Sequence, residues 1–237
     1  MRKFPFVPFA PRFLGGLVIA GLLIVAAWAI IRHPAPHAAR ASIAANRNAS
    51  PSPVGPPWVY GRADARFTVI EYADLECPYC RAYFPVLKGW IDAHPDVNWQ
   101  WQHLPLAIHE PAATADARLA ECAGETAGNA AFWKAVTWIY AHTGGDGQGL
   151  PHDARYPDLT PAMRHCLASD RPDAAIRGQA AAALRDRISG TPTLRLQDHH
   201  SGKTIVLPGS VEGDALLSAM DWLASQPEET PPAPARP

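Results

Sequence analysis

The sequence predicts a single α/β sheet that carries a helical insertion. Three observations lead there: strand-type runs stand at both ends of the central region, a block of helical character separates them, and a Cys-x-x-Cys closes the first strand. Taken in order, Arg66-Phe67-Thr68-Val69-Ile70-Glu71-Tyr72 is β-branched and aromatic and reads as a strand. After the cysteines, Tyr83, Phe84, Leu87, Trp90 and Ile91 recur at helical spacing to about Ala93, with Pro85 inside as a kink. Val97 to Leu104 alternates as a strand with Val97, Trp99 and Trp101 on one face.

From about 110 to 189 the character is helical. Pro111-Ala112-Ala113 opens an alanine-rich helix, and Phe132, Val136, Ile139 and Tyr140 mark a second. Gly144 to Gly149 ends it as a flexible surface loop. Thr160-Pro161 starts a short third helix, and Pro172 to Ile188 forms a fourth with Ile176, Ala180 and Leu184 aligned. Thr193–Gln197 and Lys203–Leu207 then flank a hairpin loop, and a last helix runs from about Glu212 to Leu223.

The ends of the chain read differently. Phe13 to Ile31 is 19 residues without a charge, behind Arg2, Lys3 and Arg12, which is long enough to cross a hydrocarbon core of about 30 Å. It is longer than the apolar centre of a cleaved signal peptide, so residues 13–31 are expected to be an uncleaved transmembrane anchor, with 1–12 cytoplasmic. Residues 32–57, rich in Ala, Pro and Ser, form a flexible linker, and 226–237, with five prolines, a disordered tail. The working domain is 58–225. With 21 basic and 22 acidic residues and no basic block, nucleic-acid binding has no electrostatic support.

Glu76-Cys77-Pro78-Tyr79-Cys80-Arg81 carries the chemistry. Two cysteines three apart at a strand-to-helix turn can cycle between dithiol and disulfide. Pro78 suits the first helical turn, which puts Cys77 among unpaired N–H groups at the positive end of the helix dipole. Cys77 is therefore the expected nucleophile and Cys80 the resolving thiol. The competing reading is a metal site, for zinc or copper(I). Zinc would need two further ligands, while the remaining cysteines, Cys122 and Cys166, lie 44 residues apart, and three methionines give no cluster suited to copper. No metal and no organic cofactor is expected.

These motifs, in this order, resemble those of the DsbA-like thiol:disulfide oxidoreductases, thioredoxin-fold proteins with an inserted helical subdomain. The match covers Gly61 to Leu223: the run Thr68 to Asp74 before the cysteines, His103-Leu104-Pro105-Leu106 after the second strand, Phe132-Trp133 in the insertion, and Gly190-Thr191-Pro192-Thr193 as a cis-proline loop. The resemblance implies that Glu71, six residues before Cys77, is a buried acid that exchanges a proton with Cys80. It implies a cis Pro192 facing the dithiol, with Thr191, Pro192, Pro78 and Tyr79 contacting substrate, and Pro85 as a structural kink. It also implies a structural disulfide between Cys122 and Cys166, with free buried thiols as the alternative.

The function implied is a membrane-anchored disulfide donor to exported protein thiols, in the bacterial inner membrane with its catalytic domain in the periplasm. A quinone-linked oxidase, or a reductase, would be the membrane redox partner. A reductase or isomerase of the same fold is the alternative, since Pro78-Tyr79 does not settle direction. His103 reads as packed or hydrogen-bonded, and His199-His200 as loop histidines.

Overall fold

The computed structural model describes residues 55–226. The expected anchor at 13–31, most of the linker and the tail after Gln226 lie outside them. Among the described residues, no helix is long and apolar enough to cross a membrane.

Five strands form one sheet: β1 (Val59–Tyr60), β2 (Phe67–Ala73), β3 (Val97–His103), β4 (Thr193–Asp198) and β5 (Thr204–Pro208), in the order β1-β3-β2-β4-β5. β2 is parallel to β3, antiparallel to β4, and central. A parallel neighbour requires a crossover, which α1 (Pro78–Ala93) provides. The insertion contributes α2 (Ala112–Ala127), α3 (Asn129–His142), α4 (Pro161–Leu167) and α5 (Arg171–Arg185), and α6 (Gly213–Ser225) closes the chain.

The central position of β2 explains its nearly unbroken apolar run, since both faces are covered. Its register sets Val69 between Trp99 and Leu196, and Glu71 between Trp101 and Leu194. Around β3 an aromatic layer joins sheet to insertion. Trp99 packs 4.5 Å from Trp133 and 5.2 Å from Phe84, and Trp58 stacks on Phe132 at 5.2 Å. Gly124 of α2 lies under Trp58, where a Cβ would stand 2.5 Å from the indole.

His103 is buried in this layer. Trp101 Nε1 donates to its Nδ1 at 3.0 Å, so the ring hydrogen belongs on Nε2, 3.1 Å from Glu121 Oε1. Trp58 Nε1 donates to the same Glu121 oxygen at 3.0 Å.

Three local readings change. β1 was not foreseen because two residues carry no period. In α5 it is Ala183, not Leu184, that is buried with Ile176; Leu184 is 61% exposed. The 144–149 segment, expected as a flexible surface loop, is instead tied to the polypeptide ahead of Cys77. α1 runs on through Pro85. A disulfide joins Cys122 on α2 to Cys166 on α4, stapling two inserted helices.

Candidate active site

Cys77 occupies the cap position of α1, with Pro78 as the first helical residue, so its sulfur stands at the positive end of the helix dipole. Its side chain is 3% exposed, while Pro78 and Tyr79 are exposed, Tyr79 at 72%. The Cys77 thiol is drawn down to about 6, first by the Cys80 thiol donating to it, against the cost of burial, with the Thr191 side chain and the N–H groups of Cys80 and Tyr79 adding to the pull. Cys80, fully buried one turn on, is pushed well above the ordinary thiol value by burial first, then by Cys77 and Glu71. Both cysteines are free thiols here. The two sulfurs are thus sharply unequal.

Glu71 lies beneath them in the centre of the sheet, 1% exposed, with Oε2 lacking a hydrogen-bond partner. Burial first, opposed by the Trp99 indole and aided by the charge of Cys77, pushes its carboxyl up to about 8. Opposite the cysteines, the Thr191–Pro192 peptide is cis, and Cys77 Sγ donates to the Thr191 carbonyl at 3.5 Å. The Thr191 hydroxyl is buried without a partner. Cys77, Cys80, Glu71, Thr191 and Pro192 therefore converge from β2, α1 and the loop before β4. Among the described residues, no three His, Cys, Asp or Glu side chains gather in a way that could hold a metal.

Residues 54–206 match the thioredoxin family model. A crystal structure of DsbA2 from Pseudomonas aeruginosa superposes with a TM-score of 0.69 at 44% identity, covering 72% of this chain and 95% of that one. The chain belongs to the thioredoxin family, among its DsbA-like thiol-disulfide oxidoreductases. Wolbachia pipientis alpha-DsbA1 shares the fold, with a TM-score of 0.54 at 18% identity over 72% of this chain and 92% of its own. The Na(+)/H(+) antiporter NhaA 3 of Salinispora tropica is 34% identical over 169 residues, 68% of this chain and 25% of the antiporter. The chain spans about a quarter of the curated relatives it matches.

Around the DsbA-like redox pair stands a set of buried polar residues that sequence reasoning missed. Asp74, at the end of β2, accepts from Glu76 N at 2.8 Å through Oδ1, and through Oδ2 from Leu106 N at 2.8 Å; His109 Nδ1 lies 2.7 Å from Oδ2. Tyr140 Oη donates to the Asp74 carbonyl at 3.2 Å. Glu76, directly before Cys77 and wholly buried, accepts from Thr143 Oγ1 and, at 2.8 Å, from Gly149 N. Its carbonyl accepts from Asp146 N at 2.8 Å, and Arg81 donates to the Thr143 carbonyl at 2.9 Å. The glycine loop thereby seals the chain ahead of the nucleophile. Asp116 on α2 joins the group, 3% exposed, with Oδ2 unpartnered. Burial first, then the neighbouring Glu76 and Asp74, raise its carboxyl to about 8. One signal was visible: Asp74 and Glu76 interrupt an otherwise apolar run entering the cysteines.

Proposed function

We propose that this thiol-disulfide oxidoreductase is a disulfide donor to exported proteins. In this reading residues 13–31 hold it in the bacterial inner membrane and the redox domain faces the periplasm. The observation that carries the reading is the inequality of the two thiols. A Cys77 thiolate stabilised to about 6 is a good leaving group, which favours the reduced enzyme over its disulfide and so makes the disulfide oxidising.

The oxidised enzyme carries a Cys77–Cys80 bond. A substrate thiolate attacks Cys77 Sγ, forming a mixed disulfide and displacing Cys80 as thiolate. Protonated Glu71 returns a proton to Cys80, whose own preference for the neutral form is set by burial. A second substrate thiolate then attacks the substrate sulfur of the mixed disulfide, and Cys77 leaves as a thiolate. The substrate has lost two electrons and the enzyme has gained two. A quinone-linked membrane oxidase would take them back.

Pro78, Tyr79, Thr191 and Pro192 form the substrate contact in this scheme, the exposed Tyr79 ring offering an apolar hold beside a buried sulfur. The likeness to part of two Salinispora antiporters supports work at a membrane.

The test is the reduction potential of the Cys77–Cys80 pair of the full chain, measured against glutathione. A value near −120 mV, the figure for the strongest oxidant of this type, supports donation, while one near the roughly −270 mV of thioredoxin assigns a reductase.

A further inference from the structure

Two buried polar atoms in the sheet beneath the redox pair have no hydrogen-bond partner: the acceptor Glu71 Oε2 and the donor Trp99 Nε1. They belong to neighbouring parallel strands. Register pairs Val69 with Trp99 and Glu71 with Trp101, so the four side chains share one face of the sheet and Trp99 stands diagonally across from Glu71. Trp99 is wholly buried and Glu71 is 1% exposed. Phe84, one turn beyond Cys80 on α1, packs 5.2 Å from the Trp99 ring, and Trp133 packs 4.5 Å from it. Those rings wedge the indole in place without supplying an acceptor for its N–H.

Other donors around Glu71 are already spent. Trp101, directly opposite, gives its N–H to His103 at 3.0 Å. The titratable groups that feel Glu71 are Cys77, Cys80 and Tyr83 on α1 and Tyr140 on α3, and none is a cation. The Tyr83 hydroxyl goes to the Val211 carbonyl at 2.7 Å and the Tyr140 hydroxyl to the Asp74 carbonyl at 3.2 Å. From β4 the register brings Leu194, whose side chain has no polar atom. A carboxylate formed here meets no countercharge. The Trp99 N–H is a free donor, and the indole already draws the Glu71 acid down against burial. A neutral Glu71 can do without that donor, whereas an ionised and buried one cannot.

Resting on the thiol-exchange reading of the site, we propose that Trp99 is a positioning residue for the proton step, its indole N–H closing onto the Glu71 carboxylate each time Glu71 gives its proton to Cys80. In that step the O–H bond of Glu71 breaks and an S–H bond forms on the Cys80 thiolate. Nothing is oxidised, and Trp99 keeps its hydrogen throughout. When Cys80 ionises again, the carboxylate takes the proton back and the indole lets go.

The experiment follows the Trp99 indole N–H by NMR in the reduced full chain from pH 5 to 10, with its signal assigned through its own backbone. It needs no substrate, so it stands even if the protein exchanges no disulfides. The proton should move downfield with a midpoint near pH 8, where Glu71 ionises, and Glu71→Gln should abolish the movement. An infrared titration of the Glu71 carboxyl, assigned by its loss in Glu71→Gln, gives a second reading. Trp99→Phe removes a hydrogen bond to a charged group and should raise that midpoint by about 1–2 pH units. Trp133→Phe, which deletes the other unpartnered indole N–H of the layer, should leave it in place. A stationary indole signal, or one that follows Cys77 near pH 6 and survives Glu71→Gln, overturns the proposal. So does a Glu71 midpoint that Trp99→Phe leaves unchanged or that Trp133→Phe raises equally. Should Trp99→Phe fail to fold, the indole titration set against Glu71→Gln decides alone.

Discussion

The sulfur of Cys77 stands 3.5 Å from the carbonyl oxygen of Thr191, a residue 114 positions away. A thiol can donate to that carbonyl and a thiolate cannot, so ionisation of Cys77 frees the Thr191 backbone oxygen. The buried and unpartnered Thr191 hydroxyl is then the nearby group able to turn and donate to the sulfur. The contact thus reverses its polarity with the state of the nucleophile.

One prediction concerns the two thiols. At pH 7 a limiting amount of alkylating reagent should modify Cys77 at least ten-fold faster than Cys80, because the first is ionised and the second is buried and neutral. Cys77→Ser should abolish exchange, and Cys80→Ser should accumulate a mixed disulfide visible by mass spectrometry.

Glu71→Gln tests the proton route. Glutamine cannot deliver a proton to Cys80, so release of Cys80 should slow by roughly 10²-fold, measured by stopped flow with a thiol substrate. Stability should move the other way. The folded carboxyl is raised to about 8 from an ordinary value of 4.5, so the folded state prefers it protonated. The unaltered protein therefore loses stability as pH climbs from about 4.5 to 8. The glutamine variant should show no advantage at pH 4 and a growing one up to pH 8 in urea titrations.

The staple between α2 and α4 closes a separation of 44 residues. Chain entropy puts its contribution at roughly 3–4 kcal/mol. Replacing Cys122 and Cys166 together by Ala should lower the urea midpoint accordingly, while the potential of the Cys77–Cys80 pair stays where it was.

Arg66 grips Asp198 with two nitrogens, each at 3.0 Å, and the carboxylate is fully buried. That grip, more than burial opposes it, holds Asp198 far below the usual carboxylate range. A depressed carboxyl stabilises the fold above its unfolded value and loses that support as pH falls. Arg66→Ala should cost about 2 kcal/mol at pH 7. That cost begins to shrink below about pH 4 and fades only as the pH falls far below the ordinary carboxylate range, as thermal unfolding across that acid range would reveal.

Much of this arrangement was legible in the chain. β2, β3 and the β4–β5 hairpin announced themselves by β-branched and aromatic runs, and Cys77 and Cys80 by spacing at a strand-to-helix turn. Glu71 could be placed only through a family resemblance, because a lone acid in a strand does not declare whether it is buried. The Asp74, Glu76, Asp116 and His109 group was illegible for a stronger reason. Glu76 meets Thr143 67 residues on and Gly149 73 residues on, and such partners are chosen by tertiary packing rather than by any local period. The glycine loop looked mobile for the same reason: composition reports what its backbone may do, not what holds it.

Asp74 binds three things at once: the peptide ahead of the nucleophile, the turn after β3 through Leu106, and His109 at the threshold of the inserted helices. A chimera that moved the insertion onto a different thioredoxin core would sever that rivet unless Asp74 and His109 travelled together. The helices are keyed to their redox loop, and the two halves of this domain can diverge only as a matched set.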